Sequence, residues 1–417
     1  MKLKPIVASM FVLGLVSGPV MAAVPYDPNV LPAVDAERAK VAKMEAVIEQ
    51  NQAGYFQQPM DWFNRITISG QANVDAELAS RSPITFANGY ASALILNNAN
   101  IYVDALLNDW TTVHANFLYQ DLSNGYFDFK STRPLPVNSP TVDEGYVTIG
   151  NFARSPFYFR AGRQYVDFGN YNRYPMLASF TQVLSETSGT AATVGFVSPV
   201  GFNASAFLLN GAPRIGIGGD PVSFGVARNR VRNFGVNAKF CSSTDFFGYE
   251  IGVNYLRNMA DVNYIANSIG SSYFNAVGGI GASADIWTGP FDASVRFVTA
   301  VQRFSPFEAA DVSGGIVKNG AEPSAWTIDA GYSFQVLAHQ SRFGLGYQGS
   351  SEAAAFFSPG SFGHLPQNRY LANYRVNISR WTDVGVEIWQ DRDYSSSNAG
   401  TGTNATTGLL RLGVKFA

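Results

Sequence analysis

Charge is scarce in this chain. Asp, Glu, Lys and Arg make up 14% of its 417 residues, against roughly 25% in soluble domains, so its composition is not that of a soluble protein of this length. What charge exists is nearly balanced, Lys+Arg 29 against Asp+Glu 31, which excludes the basic footprint that nucleic acid demands. One cysteine, Cys241, cannot form an internal disulfide, and it lies far from any N-terminal lipidation position. The three histidines, His114, His339 and His364, fall on an inward strand position, a turn and a loop, without metal-ligand spacing. No Ser/His/acid cluster is evident, and GIGGD at 216 to 220 lacks the strand and helix that frame a phosphate loop. Neither enzyme activity nor a metal or cofactor is therefore expected. Also missing beyond residue 22 is any apolar run near the roughly 20 residues of a spanning helix.

What the chain does have is alternation. In Arg65 to Leu78, Ile66, Ile68, Ala72, Val74, Ala76 and Leu78 alternate with polar residues, the period of a strand with one oily and one wet face. The pattern recurs about sixteen times, in strands of roughly 9 to 11 residues that suit a tilted bilayer crossing. Short connections, such as Asn108-Asp109, Thr288 to Pro290 and Arg380 to Thr382, alternate with long ones rich in Gly, Ser, Asn and Pro. That order belongs to the periplasmic turns and extracellular loops of a membrane barrel. Trp110, Phe157, Tyr158, Phe202, Phe240, Phe246, Trp287, Phe291, Phe334, Phe343 and Trp381 crowd the short turns, like one interfacial girdle. The predicted fold is an all-β transmembrane antiparallel barrel of about 16 strands with a short N-terminal periplasmic helix.

Three segments follow. Residues 1–22 read as a signal peptide, with Lys2 and Lys4 ahead of an apolar run and a Val20-Met21-Ala22 cleavage pattern. Residues 23–64 hold an extended lead and a helix over 36 to 51, capped by Asp35, with Val41, Met44 and Ile48 on one face. A linker helix, a short coiled coil between protomers and a pore plug all fit it. Residues 65–417 form the barrel. At its end Ala417 follows Phe416, a one-residue overhang on the terminal aromatic usual in such barrels.

By the same parity the lumen receives Asp75, Glu77, Glu144, Arg160, Lys239, Glu250, Arg296, Asp329, Arg375, Glu387 and Arg411. Both signs are present, so no simple ion filter is written. A three-residue turn at Arg380 to Thr382 would set Arg375 opposite Glu387, and Asp285 and Asp292 would meet as like charges.

The segment GRQYVDFGNYNRYPML, Gly162 to Leu177, with TQVLSETSGTAATVGF, Thr181 to Phe196, resembles the LbtU family of siderophore porins. The resemblance implies uptake of a ferric siderophore across a bacterial outer membrane without TonB coupling. A plugged transporter of about 22 strands needs a separate plug domain, for which the N-terminal region is too small. In this segment Tyr165, Phe168, Tyr171 and Tyr174 can stack on a flat ligand while Arg163 and Arg173 meet its carboxylates. A constriction loop folded into the pore is the competing reading. Parity places Arg163 outward, at the rim unless a bulge re-aims it. Expected partners are a ferric siderophore or another small hydrophilic solute and outer-membrane lipid, with monomer and homotrimer both open. A general diffusion porin and an adhesin or structural barrel remain as alternatives.

Overall fold

A computed structural model of the chain describes residues 65–80, 91–120, 140–152, 154–170, 175–211, 230–244, 246–269, 273–306, 308, 320–353, 365–398 and 400–416. The signal peptide expected at 1 to 22 and the helix expected at 36 to 51 both lie outside the described residues.

Alternation becomes sixteen antiparallel strands that close on themselves. They are β1 (Ile66–Ala79), β2 (Ala91–Asn108), β3 (Thr111–Tyr119), β4 (Thr141–Gly150), β5 (Phe157–Tyr165), β6 (Ser188–Val197), β7 (Phe202–Gly211) and β8 (Arg230–Ser243). The second half comprises β9 (Phe247–Leu256), β10 (Gly279–Thr288), β11 (Phe291–Ala300), β12 (Ser324–Val336), β13 (His339–Ser351), β14 (Asn368–Ser379), β15 (Thr382–Arg392) and β16 (Asn404–Phe416). Each strand pairs with its sequence neighbours, and β1 pairs with β16 from Gly70↔Phe416 to Ala79↔Thr407. Closure removes the sheet edges whose unpaired N–H and C=O groups hydrocarbon would not tolerate.

Burial is inverted relative to a soluble protein. Leu94 (71% exposed), Val253 and Ile328 face outward, while Asp75 (0%), Asp329 and Glu387 are buried inside. That inversion is how a barrel meets lipid with its outer face and polar groups with its lumen. Two girdle expectations need correction. Trp287 is buried, its indole over Gly248 on the inner wall, and the ring of Tyr158 covers Gly195. Both occupy the inward phase of their strands, so parity overrides proximity to the turn.

Register corrects both charge pairings. The turn between β14 and β15 is Arg380-Trp381, with a bulge before Ser379, so Arg375 lies opposite Gly385 and Glu387 opposite Asn373. Arg375 pairs instead with Asp383, Nε to Oδ2 2.7 Å. Asp285 and Asp292 do not face each other as like charges. Arg296 of β11 reaches diagonally to Asp285 of β10 at 2.8 Å, and Arg342 of β13 passes over Gly331 of β12 to Asp292 of β11 at 2.6 Å.

Candidate solute path and its constriction

The lumen is occupied on one side by the connection between β5 and β6. It leaves β5 just beyond Gly162, whose φ of +138° and close contact with Tyr146 Cα exclude a side chain. Then it crosses the inner wall, anchored by successive hydrogen bonds. Asp167 accepts from Ser205 Oγ of β7, and Gly169 N donates to Asn254 of β9 at 3.0 Å. Further on, Met176 N donates to Glu387 of β15 at 2.8 Å, and its carbonyl accepts from Arg411 of β16 at 2.6 Å. The Met176 methyl rests where a Cβ on Gly385 would stand, so that glycine is the seat of the loop.

The loop returns through a single helical turn, α1 (Phe180–Val183), capped by Ser179. Phe180 N donates to Gln348 of β13, and Thr181 meets Thr327 of β12. Phe180 itself is clamped by Arg369, whose guanidinium lies 5.1 Å from the ring and 5.3 Å from Trp389. Asp391 holds that guanidinium through two bonds of 2.7 and 3.0 Å. A planar cation fixed by a carboxylate is well placed to stack on aromatic faces.

Beneath the loop lies a dry compartment. Val166, Phe168, Phe180, Val183 and Leu184 pack on Phe207, Leu209, Leu256, Val298 and Ala325 of the inner wall. Met259, Tyr264 and Ile265, from the β9–β10 connection that carries α2 (Asn263–Ser268), complete it. This corrects the expectation of a uniformly wet inner face: at the inward residues that β6, β7, β9, β11 and β12 give to this compartment both faces of the wall are apolar. Outside the spanning strands, burial raises the Glu308 carboxyl against the backbone N–H groups of Phe274 and Ser305. It also pushes the Tyr394 phenol up to about 12, where that phenol remains neutral and bonded to Ser350.

The wall of β1 to β5 is different in kind. Asn73, Asn98, Asn100 and Asn116 form a chain of amides, at 2.7, 2.6 and 3.0 Å, that ends on Asp143 at 3.1 Å. Two bulges supply it with extra inward groups. One lets Asn97 turn in beside Asn98 and donate to Asp75, and the other sets Asp143 beside Glu144. Next to the amides, His114 Nδ1 is 2.7 Å from Asp104, and its Nε2 faces Glu144 at 3.9 Å. Tyr102 and Tyr146 flank the imidazole, and Arg160 lies 4.8 Å over Tyr146. The Asp104 side chain is 51% exposed, whereas Asn100, His114, Asn116 and Asp143 are buried, so this wall meets solvent at Asp104.

These features fit known barrels. The structure superposes on OprB of Pseudomonas putida with a TM-score of 0.58 at 11% identity, covering 85% of this chain and 95% of that one. It also resembles an anion-selective porin from Comamonas acidovorans, with a TM-score of 0.51, 10% identity, and 84% and 99% of the two chains covered. The chain has the fold of the outer-membrane porins. No family model matches the sequence. In sequence it resembles a UPF0422 protein of Coxiella burnetii, 28% identical over 64% of this chain and 54% of the relative. A UPF0422 protein of Legionella pneumophila is 25% identical over 79% of this chain and 60% of its own length. The match thus spans somewhat more than half of each relative.

The structure places the sequence-predicted residues unevenly. Asp75, Glu77, Glu250, Arg296, Asp329 and Glu387 are buried on the inner face. Arg160, Lys239, Arg375 and Arg411 occupy half-buried inward positions, and Glu144 joins His114. Arg163 keeps its outward phase opposite Gly145 and Thr190, and its Nε donates to the Asp143 carbonyl at 3.1 Å. Tyr165 is half-buried, while Phe168 is fully buried and has no face left for a solute. Tyr171, Arg173 and Tyr174 lie outside the described residues. Unforeseen were Phe180, Arg369, Trp389 and the amide chain. Only the last had a local signal, the run Asn97, Asn98 and Asn100 in a strand, where asparagine is unfavoured.

Proposed function

We propose that the chain is a water-filled channel of the bacterial outer membrane, exported by its signal segment. Its solute path runs along the amide and carboxylate wall of β1 to β5, narrowed from the opposite side by the inserted loop. The observation that carries this reading is the division of one lumen into a packed apolar half, tied down by Glu387, Gln348 and Arg411, and a polar half with an exposed Asp104. Wet channels need polar walls, and constrictions need rigid ones. No catalytic role enters this reading.

The cargo we assign is a ferric siderophore, on the resemblance of Gly162 to Phe196, with other small hydrophilic solutes as the alternative. Sixteen strands fall short of the about 22 of plugged, energy-coupled transporters, which supports passage without TonB. Arg163, Tyr165, Tyr171, Arg173 and Tyr174 are then the contacts at the mouth, and Arg160, Glu144 and Asp75 the wall below. Proteoliposomes separate the two cargoes: labelled ferric chelate should enter faster than sugars of equal size. Permeation that scales with solute size alone would leave a general diffusion porin.

A further inference from the structure

On the polar wall one ionisable side chain lies between two carboxylates and is satisfied by only one of them. His114 points inward from β3, directly opposite Asp104 of β2 and Tyr146 of β4. Its Nδ1 is 2.7 Å from Asp104 Oδ1. An ionised carboxylate only accepts, so Nδ1 carries the proton of the neutral ring and Nε2 is left a bare acceptor. That nitrogen is buried without a hydrogen-bond partner and faces the Glu144 carboxylate at 3.9 Å. Two acceptors that face each other repel, and a buried one without a donor is costly. A proton on Nε2 reverses the sign of the contact: the imidazolium donates to Asp104 on one side and attracts Glu144 on the other.

The surroundings accept either state. Tyr102 of β2 and Tyr146 flank the ring at 6.3 and 4.9 Å between centroids, and aromatic faces receive a cation as readily as a neutral ring. Arg160 of β5 keeps its guanidinium over Tyr146, and Asp143, beside Glu144, is held by Asn116 at 3.1 Å. These are the titratable and charged groups around the imidazole on β2, β4 and β5, among the described residues. We propose that His114 sets the charge preference of the solute path, and that its protonation moves the path from preferring cations toward neutrality. Asp104 is exposed and Glu144 half-buried, so both act on ions in the lumen, where carboxylates favour cations. A neutral imidazole leaves their charge uncompensated. An imidazolium binds both and takes one unit of negative charge from the wall. Histidine is the side chain whose charge changes across neutral pH.

This inference rests on the channel reading, and the test keeps the two apart. Single channels of the full-length protein are recorded in a planar bilayer across a potassium chloride gradient, and the reversal potential gives the ratio of potassium to chloride permeability. In wild type that ratio should fall roughly twofold between about pH 8 and about pH 5, the effect of one unit charge about 10 Å from an ion in water. His114→Gln should hold it level, while His339→Gln, at an exposed turn position, should keep the wild-type response. Should His114→Gln misfold, Glu144→Gln takes its place: the new amide offers Nε2 a donor without a proton from solvent, so the fall should move to lower pH. A wild-type ratio that stays level over this range, or His114→Gln and Glu144→Gln channels that respond as wild type does, would overturn the inference and leave the channel intact. Folded protein that conducts at no pH would remove the channel itself.

Discussion

Among single residues, the buried ion pairs decide most. Arg411 grips Asp75 through Nε and Nη2, both at 2.7 Å, across the seam where β16 meets β1, and Asp75 is fully buried. Removing only the cation strands a carboxylate, which costs about 3–5 kcal/mol. Arg411→Met should therefore lower the temperature of the heat-modifiable gel transition markedly, and the double variant Asp75→Asn/Arg411→Met should recover much of the loss. Equal damage in both would show that the pair is not what closes the seam. Phe168, buried at the base of the loop, should cost about 3–5 kcal/mol as Phe168→Ala, read as a lower urea midpoint. Parity placed both Asp75 and Arg411 inside, since lipid fixes the other face. Their pairing was not legible, nor was that of Arg375 or Asp285. Asp75 and Arg411 are directly opposite across the closing seam, but the register of that seam, between the first and last strands, is set by no turn. Arg375 and Arg296 reach diagonally, and one bulge, as before Ser379, moves every partner beyond it.

Elements were legible where lipid imposes a rule. All sixteen strands show in the sequence because their outward residues must be apolar and their inward ones differ. Alternation fails where the inner face also packs, as at Phe207-Leu208-Leu209, and there the sequence does not disclose the dry compartment. The inserted loop is one of two readings of Gly162 to Leu177; its anchors are not legible, because its apolar residues Val166, Phe168, Leu177 and Val183 are spaced by no period. That loop is the element whose removal tells most. Deleting residues 170 to 178 should enlarge single-channel conductance and uncover the apolar pocket on Phe207 and Leu256, at a cost in stability. Gly385→Leu should act in the same direction and less strongly by pushing Met176 from its seat. Unchanged conductance in both variants would mean that the loop does not narrow the path.

At the scale of the whole molecule, a barrel with buried carboxylates and exposed leucines is stable only when hydrocarbon surrounds it and water enters it. In the channel we propose, the loop and the ion-paired wall narrow that water column. In that channel the Asn73 to Asp143 wall is left to solute. Stepwise current through a planar bilayer tests the central claim most directly. Purified protein added to one side should produce discrete upward conductance steps, larger in the loop deletion than in wild type. A folded, membrane-inserted protein that passes no current in either form would contradict it.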